Sequence, residues 1–248
     1  MKLLRYSLAA TAALMLSAGS QAQTVQNVKE RVDDHRQLNQ DVVNIQNDRA
    51  DLDRLSDLVM QWNSLRTTNA NPQRIADLQK QIAEELRHNM KQTAKGVAQA
   101  NREVAQSKQE VRSDRREVRK DRRAVAGDNA AGAPVAAAAD RHALRDDRRD
   151  KRDDRRDVRD DKQDAARADE ILKSKRELVA QLVDLQKQID AGSTNPDGLQ
   201  DRQMTLLQKY LTLSRQEVKM GYREFAEDRD ELREDRRETR EDVRQGSR

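Results

Sequence analysis

The sequence predicts an all-α fold: two tandem long antiparallel helical hairpins with coiled-coil seams, related by an internal duplication. Composition, a seven-residue apolar spacing and a repeated turn motif support this prediction. Of 248 residues, 38% are charged, 2% are aromatic and none is cysteine. So few bulky side chains do not fill a wide globular core, whereas 49 basic against 45 acidic residues do not give the high net charge of a disordered chain. Long, thin helices fit both facts.

The first segment, residues 1–22, has the pattern of a secretory signal peptide. Two basic residues precede an apolar run over residues 7–16, and Ser20 and Ala22 supply the small residues of a cleavage site. The run is too short to cross a bilayer, which needs about 20 residues. We therefore expect export to a bacterial periplasm, or secretion, after cleavage near Ala22, with no integral membrane segment in the mature chain.

The remainder of the chain repeats itself. The dipeptide Asn71-Pro72 recurs as Asn195-Pro196, and the apolar residues before the two turns match at the same offset. The matching positions are Leu55, Leu58, Val59 and Leu65 in the first copy, and Val179, Leu182, Val183 and Ile189 in the second. Residues 127–139, rich in Gly, Ala and Pro, read as a linker, although part of this segment also fits the start of a helix.

Apolar residues recur at helical spacing on both sides of each Asn-Pro turn. The clearest series takes every seventh residue, which is typical of a coiled-coil seam. It consists of Met90, Val97, Val104, Val111, Val118 and Val125, and its counterpart in the second half is Leu211, Val218, Phe225, Leu232 and Thr239. Asn is a favoured N-cap and Pro suits the first helical position, so each turn predicts the start of a new helix.

These patterns predict four helices, over about 24–66, 73–126, 140–190 and 199–246. Short turns place successive helices antiparallel, which gives one hairpin domain over 23–126 and another over 140–248. The hairpins either pack side by side or are connected through the linker alone. The sequence also leaves open whether the helices pair within one chain or between chains of a homo-oligomer.

The residues that carry chemistry in enzymes are absent or badly spaced. The chain has no Gly-rich phosphate loop and no G-x-S-x-G motif, and none of its three histidines belongs to a metal-binding pair of the H-E-x-x-H kind. Abundant carboxylates lie on long surfaces rather than in a pocket that would shift their pKa values. We therefore predict a non-enzymatic protein with no catalytic residues, no cofactor and no metal site.

A first functional hypothesis is binding through apolar helix faces. Met and aromatic side chains suit adaptable apolar contacts, although at helical spacing they also fit the core between helices. The candidate partner contacts are Trp62, Tyr210, Met220, Tyr222 and Phe225. This hypothesis describes an exported helical interaction protein of the bacterial envelope, chaperone-like or stress-related, that binds protein clients or an envelope protein partner.

A second hypothesis is binding of an anionic polymer through arginine. Residues 108–123 contain eight basic and four acidic side chains, and the candidate contacts are Arg115, Arg116, Arg122 and Arg123. Arg-rich helices bind phosphates by neutralising them, so lipopolysaccharide, a surface polymer or extracellular DNA would be the partner. The low-complexity polyampholyte run over 140–164 is either a solvated helix face or a charge-matched contact surface.

Overall fold

A computed structural model describes residue 36 and residues 38–68, 71–192 and 194–246. Every regular element in these residues is an α-helix: α1 over 38–67, α2 over Pro72–Ala130, α3 over Pro134–Asp190 and α4 over Pro196–Gly246. The predicted all-α fold is therefore confirmed. The predicted signal peptide over 1–22 lies outside the described residues.

Both Asn-Pro motifs start a helix, as their chemistry predicts. The Asn71 side-chain oxygen accepts a hydrogen bond from the Gln73 backbone N–H at 2.9 Å, and Pro72 is the first residue of α2. At the second motif, Asn195 Oδ1 accepts from the Gly198 backbone N–H at 3.0 Å. A Cβ on Gly198 would lie 2.6 Å from Asn195 Nδ2, so glycine leaves room for the capping side chain.

The replacement Asn71→Ala is expected to lower the free energy of unfolding by about 1 kcal/mol, because it removes an acceptor for an orphan backbone N–H. Urea unfolding followed by far-ultraviolet circular dichroism measures this change. The control is Asn71→Ser, which keeps a capping oxygen and should stay within a few tenths of a kcal/mol of the parent. Equal destabilisation by serine and alanine would contradict a capping role.

The predicted linker over 127–139 is mostly helical in the structure, and this prediction is corrected. The interruption between α2 and α3 is confined to residues 131–133, where Gly132 has a φ of 69°. The Ala133 N–H donates to the Asp128 carbonyl at 2.9 Å and the Gly132 N–H to the Asn129 carbonyl at 3.3 Å, which is a Schellman helix end. Alanine is the best helix former, so the Ala-rich flanks extend both helices.

The described part of the chain divides into two compact units, one over residues 51–214 and the other formed by the described residues before 51 together with those after 214. We call the first the bundle unit. Its core takes buried side chains from all four helices: Leu55, Val59, Trp62, Leu78, Ile82, Leu86, Leu182, Leu185, Leu206, Leu207, Tyr210 and Leu211. In the other unit, a Cβ on Gly221 would lie 3.0 Å from Ile45 Cγ1, so α4 and α1 approach closely there.

Polar contacts fix the helix directions in the bundle unit. Arg54 Nε lies 3.3 Å from Glu85 Oε1 across α1 and α2, and Gln203 Nε2 donates to Gln186 Oε1 at 3.0 Å across α3 and α4. Helices α2 and α3 also pack against each other. Of the two open arrangements, the structure therefore has the hairpins side by side in this unit. The division into separate hairpin domains stays a prediction.

No helix in the described part of the chain is long and apolar enough to cross a membrane.

Candidate functional site

Beyond the bundle core, α2 and α3 form an antiparallel two-helix coiled coil. Its seam on α2 contains Val104, Val111 and Val118, which are all buried as the seven-residue spacing predicts. The seam on α3 takes every seventh residue from Ala137 to Ala165, with Leu144 buried and Lys151 half-buried. Lysine thus occupies a position that is apolar in the neighbouring heptads.

A groove of about 230 Å³ opens beside this lysine. It is lined by Arg115, Val118, Arg119 and Arg122 from α2 and by Lys151 from α3. Residues 115, 119 and 122 are three or four positions apart, so one face of α2 presents three guanidinium groups toward Lys151. The groove therefore combines four cationic side chains around one valine.

The groove has a strongly positive environment. The pKa of the Lys151 ammonium is lowered from its ordinary 10.5, first because desolvation disfavours the charged form and then because Arg155, Arg115 and Arg122 repel it. The Asp114 carboxylate offsets part of this shift. Within the described residues, none of the four groove cations forms an ion pair with a carboxylate. By contrast, Arg156 on the same α3 helix pairs with Asp153 at 3.1 Å. An anion in the groove would relieve this repulsion.

The structure separates the four arginines that the sequence proposes as polyanion contacts. All four are exposed, but Arg115 and Arg122 line the groove, whereas Arg116 and Arg123 are not among its lining residues. Sequence reasoning missed Arg119 and Lys151. The signal for Lys151 was present, because it interrupts the seven-residue apolar spacing between Leu144 and Val158.

Three residues beyond each seam position, the coiled coil carries facing carboxyl groups. The pairs are Asp114 with Asp154, Asp121 with Asp147 and Asp128 with Asp140, and Ser107 donates to Asp161 at the end of the series. We call these pairs the acid rungs. They recur every seventh residue on both helices, so apolar and acidic layers alternate along the interface. Sequence reasoning missed the rungs.

Two of the acid rungs contain a carboxyl group whose pKa is raised to neutral pH or above. Burial raises the pKa of Asp154 from 3.8 to about 9, together with a hydrogen bond to Asp114 and the negative charge of Asp114. Burial, the charge of Asp121 and a hydrogen bond with it raise the pKa of Asp147 to about 7. A proton on one carboxyl group of a rung lets it donate to the other, which replaces repulsion with a hydrogen bond.

The two long edges of the coiled coil carry opposite charges. One position beyond the residues of two acid rungs, Asp114–Asp154 and Asp121–Asp147, lie four arginines. Arg115, Arg122, Arg148 and Arg155, together with Lys151, form what we call the basic edge. Three positions beyond Ser107 and Asp114 on α2, and beyond Asp147 and Asp154 on α3, lie the carboxylates that we call the acidic edge: Glu110, Glu117, Asp150 and Asp157. In an antiparallel pair, the basic-edge positions of one helix face those of the other across the interface, and the acidic-edge positions do the same.

The electrostatic neighbours of each edge agree with this arrangement. Lys151 is repelled by arginines from both helices, and Glu117 raises the pKa of Asp147 across the interface. On the acidic edge itself, burial and then neighbouring aspartates raise the pKa values of Asp150 and Asp157 to about 6. The run over 140–164, neutral as a whole, therefore places cations at one border of the interface and carboxylates at the other.

The structure distributes the five candidate apolar contacts between core and surface. Trp62 and Tyr210 are 1% and 0% exposed and belong to the core of the bundle unit, which corrects their assignment as accessible partner contacts. These two large side chains are buried between four helices, so a partner cannot reach them. In the other unit, Met220 and Phe225 are half-buried and Tyr222 is 48% exposed.

A buried polar cluster completes the bundle core. The Lys175 ammonium, with no exposure, donates to Asn89 Oδ1 at 2.8 Å and to Thr93 Oγ1 at 3.0 Å, and lies 5.2 Å from the centre of the Tyr210 ring. The Tyr210 hydroxyl also donates to Asn89 Oδ1, at 2.8 Å. One amide oxygen of α2 therefore ties α3 and α4 together, which gives this cluster a role in holding the fold.

The described residues contain no group of three or more histidine or carboxylate side chains placed to hold a metal ion. Comparison with known proteins gives no match for this chain among family models, curated proteins or solved structures.

Proposed function

We propose that this chain is a non-enzymatic, exported interaction protein of the bacterial envelope that binds an anionic polymer. The observation that carries the proposal is the groove, where four cations from two helices surround Val118 and none of them forms an ion pair with a carboxylate among the described residues. Arginine presents a planar fork of donors that matches phosphate and similar anions. The export part of the proposal rests on the pattern of residues 1–22.

The spacing of the cations favours a polymer over a single small anion. Arg115 and Arg122 are seven residues apart, as are Arg148 and Arg155 on the opposite helix. This spacing corresponds to about 10.5 Å along a helix, so one basic edge can contact several charges of an extended chain. Binding of that kind releases counterions and weakens steeply with salt.

The double replacement Arg115→Gln, Arg122→Gln is expected to weaken binding of a duplex DNA of about 20 base pairs by at least about tenfold, and to reduce the salt slope by about two. Fluorescence anisotropy with labelled duplex, repeated with linear polyphosphate, measures both quantities. The matched control is Arg116→Gln, Arg123→Gln, which removes the same charge from α2 but leaves the groove lining intact. Equal losses in the two variants would contradict a specific groove, and tight binding by the groove variant would contradict the proposed function.

A second candidate function is the binding of protein clients through apolar contacts. Tyr222, at 48% exposure beside the half-buried Met220 and Phe225, favours it. The two candidates differ in their response to salt, because apolar binding persists at ionic strengths that abolish phosphate-type binding.

A further inference from the structure

The opposite charges of the two edges fit the surface of another molecule of the same kind. Antiparallel coiled coils gain most from opposite charges facing each other across the interface, yet here cations face cations and carboxylates face carboxylates. Each edge therefore presents an excess of one sign to its surroundings. The chain as a whole has a formal net charge of +4 for 248 residues, so overall repulsion between copies is weak.

We propose that the acidic edge of one copy docks on the basic edge of a second copy. The match is periodic as well as electrostatic. Both edges repeat every seventh residue, about 10.5 Å, so one alignment brings Asp150 and Asp157 of one copy opposite Arg122 and Arg115 of the next. Burial and neighbouring carboxylates raise the pKa values of Asp150 and Asp157 although Arg149 and Arg156 lower them, so negative charge predominates around both groups.

The geometry also determines the kind of assembly. The two edges lie on opposite sides of the same coiled coil, so the contact joins two different surfaces and leaves an unused edge at each end. Such heterologous contacts continue from copy to copy and do not close at a dimer. The inference goes beyond the proposed function, because it assigns a partner to the acidic edge and makes a second copy compete with the polymer for the basic edge.

Two variants of the purified full chain test this inference. The acidic-edge variant carries Glu117→Gln, Asp150→Asn and Asp157→Asn, and the basic-edge variant carries Arg115→Gln, Arg122→Gln and Arg155→Gln. Sedimentation at about 20 mM and about 500 mM salt follows their association. We expect the parent to form oligomers larger than a dimer at low salt that dissociate at high salt. Each variant alone should self-associate at least about tenfold more weakly than the parent.

Mixing the two variants supplies the decisive measurement. Each variant keeps the edge that the other lacks, so an equimolar mixture should form a one-to-one complex that stops at the dimer. Circular dichroism checks that both variants keep the helical content of the parent. A parent that stays monomeric at low salt, or variants whose mixture behaves as the sum of its parts, would overturn the inference.

The DNA-binding assay distinguishes failure of this inference from failure of the proposed function. The acidic-edge variant keeps the groove and should bind duplex DNA at least as tightly as the parent. If the parent is monomeric while the groove arginines still determine DNA binding, the self-docking inference alone is wrong. If the oligomers form while DNA binding is absent, the proposed function alone is wrong.

Discussion

The replacement Trp62→Ala is expected to destabilise the bundle unit by about 3–5 kcal/mol, the range for deleting a large aromatic side chain from a core. Trp62 is 1% exposed and packs in a cluster with Leu55, Val59 and Leu78. The Arg66 guanidinium also lies 5.7 Å from the centre of its ring. Loss of the indole leaves a cavity that four helices cannot close, because each is held by its other contacts.

Urea unfolding monitored by circular dichroism measures this effect without using the tryptophan as a probe. The matched control is Met60→Ala on the same helix, where the side chain is 60% exposed and the change should stay within about 0.5 kcal/mol. A Trp62→Ala variant as stable as this control would contradict a position of Trp62 in the core and would favour the hypothesis that it contacts a partner.

Acidification is expected to stabilise the α2–α3 coiled coil. The pKa values of Asp147 and Asp154 are raised from 3.8 to about 7 and about 9, so the folded state binds protons more tightly than the unfolded chain. The resulting stability is fully present below pH 3.8 and is lost as pH rises through about 7 and then about 9. Stability should therefore fall with rising pH through the neutral range.

Thermal unfolding between about pH 9 and about pH 5 should show an increase in Tm of about 5–10 °C, because one pKa unit is worth about 1.4 kcal/mol before solvent screening reduces it. The double replacement Asp147→Asn, Asp154→Asn should raise Tm at the alkaline end and flatten this dependence. The control Asp169→Asn changes an exposed carboxyl group on the same helix and should leave the slope unchanged. A slope that survives the double replacement would contradict the role of the rungs.

Local chemistry allowed the helix starts to be predicted from sequence. Asn71 and Asn195 cap the helices that follow them because side-chain capping depends on a few neighbouring residues. The buried series of Val104, Val111 and Val118 was also predictable, since a seven-residue apolar spacing has one simple structural explanation. The extent of the linker was not predictable from sequence, because an Ala-rich segment continues a helix until a residue such as Gly132 ends it.

The candidate site was predictable only in part. Apolar spacing identifies Val118 but says nothing of Asp121, three residues further on, because a search for hydrophobic layers does not expect carboxyl groups in an interface. The pairing of Asp121 with Asp147 depends on how α2 and α3 align, which is a property of tertiary structure. The same is true of Trp62 and Tyr210, whose helical spacing fits a core and a contact surface equally well.

The short turn at residues 131–133 constrains how this protein can change in length during evolution. Successive heptads of α3 are nearly identical, such as residues 146–152 and 153–159, so the charged repeat by itself does not distinguish one alignment from the next. The turn decides which heptad meets which, since the two residues of every acid rung are equally distant in sequence from Pro134, which follows the turn. Loss or gain of one heptad in both helices together would keep each rung intact, whereas a change in one helix alone would shift every partner beyond it. Descendants of this chain should therefore vary in length by matched pairs of heptads.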